Sequence, residues 1–161
     1  DAVRRTSDNR VIPATLGKTL AATGQSGSPV LRFDCIYVSR FSGPDGRSFY
    51  EFLRFWPNGR VLEKGWFDHV PSLTDAEDFS AGEVGLYRIN DGSLQLEMYQ
   101  LVGEHRETVS YAGRLHEQGH GFVLTFLRYV DDVRFWLPRT RDFVQEFEER
   151  DIGPLNRIAD W

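Results

Sequence analysis

The stretch Phe49-Tyr-Glu-Phe-Leu-Arg-Phe-Trp-Pro-Asn-Gly-Arg-Val-Leu-Glu-Lys-Gly65 decides the fold. Apolar and polar side chains alternate on both sides of Pro57-Asn58-Gly59. A period of two places successive side chains on opposite faces of an extended chain, so two strands are predicted, near 48–56 and 60–67. Asn58-Gly59 tolerates positive φ, which a tight hairpin turn demands. In the first arm Tyr50, Phe52, Arg54 and Trp56 share one face, while Glu51, Leu53 and Phe55 share the other. Both faces are therefore substantially apolar. One is expected to line an interior and the other to meet a covering segment.

The same grammar extends in both directions. Upstream, Leu31, Phe33, Cys35, Tyr37 and Phe41 fall on one face of a strand over 31–41, with Arg32, Asp34 and Arg40 opposite. Residues 42–46 are turn chemistry. Downstream, residues 68–80 read as an acidic loop. A hairpin follows across Asp91-Gly92, then a second pair of strands turning at residues 118–121, then a short eighth strand, Val133 to Pro138. Near residue 142 the period lengthens. Asp142 and Gln145 have capping-box spacing, and Phe143 and Phe147 lie four apart, which predicts an amphipathic helix over 141–152. Residues 1–30, rich in Ala, Thr, Ser and Gly, are expected to form an irregular arm with one helical turn around 16–22.

Eight successive strands joined by short turns leave two open edges if the sheet stays flat. Closure removes them. The predicted fold is all-β: one domain over 1–161, with an arm (1–30), an eight-stranded up-and-down antiparallel barrel (31–138) and a C-terminal helix (141–152).

Residues 49–130 resemble the small bacterial lipocalin-like proteins of calycin type. The motifs that carry the likeness are the aromatic strand, the turn into Gly59-Arg60-Val61-Leu62, the Gly85-Leu86-Tyr87-Arg88-Ile89 and Gly92–Leu96 hairpin, and Tyr111 to Leu115. The family's Gly-x-Trp motif has no counterpart at Leu31-Arg32-Phe33-Asp34. The resemblance implies a place in the bacterial envelope, as a periplasmic protein or outer-membrane lipoprotein; the eight-stranded barrel itself gives an interior that side chains fill or that holds one small ligand. The start at Asp1 fits a trimmed or processed precursor, and the envelope is favoured over the cytoplasm.

Composition excludes several classes. The net charge of −5 over 161 residues gives no basic face for a nucleic-acid backbone. No apolar run reaches about 18 residues, so no transmembrane segment is expected. One cysteine, Cys35, rules out an internal disulfide and is expected to be a buried structural thiol. His116 and His120 read as solvated turn histidines, and Asp131-Asp132 as a solvated turn. The acidic run Asp75, Glu77, Asp78 lacks calcium-loop spacing. No phosphate-binding glycine loop or Gly-x-Ser-x-Gly elbow is present. No catalytic residue, metal or cofactor is expected, and the protein is read as a non-enzyme.

The expected activity is binding of a small hydrophobic or amphipathic molecule inside the barrel. Tyr50, Phe52, Arg54 and Trp56 are the candidate ligand-binding residues. An arginine among inward aromatics needs an anion, so a fatty-acid-like ligand is the expected partner. The alternative is a structural or protein-interaction module of the envelope with a filled barrel. Strand register decides between inward and outward aromatics, because a slip of one residue exchanges the two faces.

Overall fold

A computed structural model describes residues 2–6, 9–17, 20, 22–118, 120–129 and 144–161. The arm supplies three short strands: β1 (Val3–Arg5) and β2 (Val11–Pro13), which form a two-stranded ribbon, and β3 (Gly24–Ser26). Then come β4 (Ile36–Ser42), β5 (Ser48–Phe55), β6 (Arg60–Phe67), helix α1 (Leu73–Glu77), β7 (Glu83–Asn90), β8 (Ser93–Val102), β9 (His105–Leu115), β10 (Gly121–Tyr129) and β11 (Val144–Arg150). Strands β4 to β11 close an eight-stranded antiparallel barrel in the order β7-β6-β5-β4-β11-β10-β9-β8, with β8 returning to β7. Strand β3 adds parallel to β7 at Arg88–Asn90, beyond the residues that pair with β6. The all-β closed barrel is the fold expected from the sequence.

Local chemistry explains the hairpins. Asp91 (φ 48°) and Gly92 (φ 78°) both occupy the left-handed region, as a two-residue hairpin turn of the primed type requires. At the opening hairpin only Gly59 (φ 81°) does so, and the turn closes through Trp56 N–H donating to Arg60 O at 3.0 Å.

The C-terminal expectation is corrected. Residues 144–150 are not a helix but β11, the strand that closes the barrel between β10 and β4. Phe147 stands opposite Phe122 and stacks on it at 5.2 Å. Seating this segment as a strand satisfies the backbone edges of two neighbours, which an isolated three-turn helix cannot do. The strand expected at 133–138 lies outside the described residues. The acidic stretch is not all loop either: Ser72 caps α1 by accepting from Asp75 N–H, and Asp75 reciprocates at Ser72 N–H.

Two apolar cores lie on either side of the wall. The inner one draws on all eight barrel strands: Tyr37, Leu53, Phe55, Val61, Tyr87, Ile89, Leu94, Leu96, Met98, Leu115, Phe122, Leu124 and Phe147, with Leu31 and Cys35. Its aromatic centre is tightly knit, Phe55 lying 5.7 Å from Tyr37, 5.1 Å from Tyr87 and 5.9 Å from Phe122. The outer core covers the outside of β4 to β7. There Ile36, Phe52, Trp56, Leu62 and Val84 are sealed by Ile12 and Leu16 of the arm, Ala76 and Phe79 of the α1 segment, and Ala159 and Trp161 of the tail. This second core explains why β5 is apolar on both faces.

Candidate functional site

The four residues expected to line the interior stand on the outer face. Phe52 is buried against Phe67, rings stacked at 5.9 Å. Trp56 packs edge-on to Trp161 at 5.4 Å and Phe79 at 5.4 Å, and its Nε1–H donates to Arg157 O. Tyr50 borders an open outer groove of about 420 Å³ with Val38, Arg40, Val70, Glu146 and Glu148. This groove adjoins the β4–β11 seam, where only three residue pairs join the strands.

Arg54 is engaged within the protein. Its Nη1 donates to Ala76 O and Glu77 Oε1, both at 2.9 Å, and its Nη2 to Arg157 O at 2.8 Å. Its guanidinium lies 4.5 Å above the Trp56 ring. Burial pulls its pKa down, and the Glu77 carboxylate opposes that shift. Glu77 also accepts from Asn156 N–H and Arg157 N–H, so this cluster straps the tail to the barrel. The register therefore turns the expected anion site into a structural clasp. The remaining acidic residues of that run are likewise used: Asp75 by Ser72 and His69, Asp78 by Ser80 and Lys64. Cys35 is buried as expected. His116 and His120 are exposed, and His120 Nδ1 lies 2.8 Å from Glu149 Oε1. Among the described residues no group of three potential ligands converges on a metal position.

Polar chemistry inside the barrel comes from residues of the opposite row. Glu51 of β5 and Glu63 of β6 point inward, on the same face as Leu53, Phe55 and Val61. Together with Leu96, Tyr111, Gln145 and Phe147 they border a small internal cavity of about 40 Å³. The two carboxyls come from neighbouring strands to the same cavity, and each perturbs the other's ionisation. Burial pushes Glu51 up to about 7. Burial also raises Glu63 well above the usual carboxylate range, and the nearby Glu51 and Glu83 charges add to it. Gln100 Nε2–H donates to Glu63 Oε2, and Tyr111 O–H donates to Gln100 Oε1. Among the described residues no cationic side chain pairs with Glu51 or Glu63.

An aromatic trio stands at the same end of the barrel. Phe41, Phe49 and Trp66 meet with ring centroids 5.1–6.0 Å apart. Trp66 is 67% exposed and holds φ 64°, a costly conformation for a bulky side chain. The cause is a bulge: between the pairs Tyr50–Phe67 and Phe52–Lys64, Gly65 and Trp66 together oppose Glu51. Gly65 lets the strands approach closely there, since a Cβ on it would stand 3.2 Å from Glu51 Cβ and 3.4 Å from Glu51 Oε2. The signal for this site in the sequence was a glutamate within each of two apolar rows, Glu51 beside Leu53 and Glu63 beside Val61.

No protein-family model matches the chain, and comparison with curated proteins and with solved structures finds no match. The closed antiparallel barrel is compatible with a lipocalin-like fold. Among the described residues no helix is long and apolar enough to cross a membrane.

Proposed function

We propose that this is a lipocalin-like, non-catalytic barrel that binds a small amphipathic molecule at its polar end, head inward and apolar part on the aromatic rim. One observation carries the reading: a carboxyl pair borders the internal cavity, at the barrel end where Phe41, Phe49 and Trp66 stand. A protonated amine is the head that fits, because carboxylates accept its hydrogen bonds and aromatic faces attract its charge. A cavity of about 40 Å³ has room for an ammonium-sized head and not for an alkyl chain. The fatty-acid-like ligand expected from the sequence loses its support, since Arg54 is spent outside the barrel on Glu77. An envelope location stays part of this proposal and is checked by cell fractionation.

The test is a titration of intrinsic tryptophan fluorescence with octylamine and, in parallel, octanoate. Octylamine is expected to give a saturable change at micromolar levels, roughly −8 kcal/mol of binding. Octanoate is expected to give none, and Trp66→Phe should remove most of the signal. No saturation with the amine, or equal responses to both, refutes the reading. The filled interior core would then favour the protein-interaction module, with exposed Trp66 as its first candidate contact.

A further inference from the structure

The β5–β6 hairpin has its backbone ladder interrupted at one place, and the carboxyl pair sits at that place. Tyr50 pairs with Phe67 and Phe52 with Lys64, so Glu51 has two residues opposite it on β6 and no regular partner there. The Glu51 and Glu63 side chains, one from each of these two strands, border the same small cavity. Gln100 and Tyr111 link Glu63 across the interior to β8 and β9. We propose that the Glu51–Glu63 pair is a proton-operated clasp, which holds the bulged end of the β5–β6 hairpin closed while the proton is shared and releases it when both carboxyls ionise.

The surroundings support the direction. Facing the pair are Glu83 from β7, Gln100 from β8, Tyr111 from β9 and Gln145 from β11, and Glu107 of β9 stands opposite Gln100 in the register. Glu83 is engaged by Arg106. Lys64 is turned to the outside, where it meets Asp78. The charged groups named here on the inner side are all acidic, so a second negative charge on the pair meets repulsion, and among the described residues no cationic side chain pairs with it. The strand at risk is also the strained one, since Trp66 leaves its left-handed conformation when the bulge relaxes.

The sign follows from proton binding. Both carboxyls titrate higher in the folded protein than in the unfolded chain. The native state therefore holds more protons between the ordinary glutamate range and the native values, and stability falls as pH rises through that window. With Glu51 at about 7, the loss begins above the ordinary glutamate range and continues through neutrality.

Amide hydrogen exchange of peptides covering 48–67 tests the clasp, at about pH 5.5 and about pH 8.5, corrected for intrinsic rates, with β8 as internal reference. Protection over 48–67 is expected to fall about tenfold at the higher pH, with β8 unchanged. Glu63→Gln, neutral at both pH values, is expected to show no fall. Equal protection at both pH values, or the same fall in Glu63→Gln, overturns the proposal. Should that variant fail to fold, Glu51→Gln takes its place. Carboxyl carbon NMR on the unaltered protein gives an independent reading: one glutamate titrating above about 6 supports the clasp, and both below about 5 overturn it. None of these readouts needs a bound ligand, so the clasp and the amine-binding reading fail separately.

Discussion

Replacing Arg54 by alanine separates a structural arginine from a ligand-binding one. The side chain is 3% exposed and makes three hydrogen bonds of 2.8–2.9 Å, to Ala76 O, Glu77 Oε1 and Arg157 O. Removing one partner of a buried ion pair costs about 3–5 kcal/mol. The lower end applies, because Glu77 is 27% exposed and keeps the Asn156 and Arg157 amides. Ala76 O loses its side-chain donor, which adds about 1 kcal/mol. Against this, Arg54 Nε–H has no acceptor, and deleting that buried donor returns about 1 kcal/mol. The net expectation is a loss of about 3 kcal/mol. With a urea dependence of about 2 kcal/mol per molar for a chain of this size, the unfolding midpoint should drop by about 1.5 M. A double-mutant cycle with Glu77→Ala should give a coupling of about 1–3 kcal/mol. The reasoning fails if the midpoint moves by less than about 0.3 M, or if the two substitutions are simply additive. Either result would free Arg54 from the clasp and reopen an interior role for it.

Two further outcomes follow from the two cores. Cys35 lies in the inner core, with its thiol pushed up to about 12 by burial. A thiol reagent should label it slowly in the native protein and rapidly in denaturant; equal rates would place it at the surface. Phe147→Ala should cost about 3–5 kcal/mol, since the buried ring stacks on Phe122, whereas alanine at exposed Glu146 or Glu148 should change stability by less than about 0.5 kcal/mol. A neutral Phe147→Ala would show that 144–150 does not close the barrel.

The sequence by itself determined what depends on neighbouring residues. Strand periods over 48–56, 60–67 and the later hairpins are local alternations, and Asp91-Gly92 is a local turn preference. The number of strands then demanded closure, because an open sheet leaves edges unpaired. Three matters were left to tertiary structure. The direction of β5 was one: with both rows apolar, alternation cannot say which is inside, and only the arm, α1 and the tail, distant in sequence, make the Phe52–Trp56 row an outer core. The C-terminal segment was another. Phe143 and Phe147 have helical spacing, and Val144 to Arg150 shows no apolar–polar alternation that would signal a strand. The unpaired edges of β10 and β4 favoured the extended form by offering it a hydrogen-bonding ladder on both sides. The carboxyl pair was the third. Glu51 and Glu63 are twelve positions apart and reach one cavity only because the hairpin register, with Glu63 opposite Leu53 and the bulge at Gly65-Trp66 opposite Glu51, brings both to the barrel interior. That register is a property of paired strands, and neither strand alone contains it.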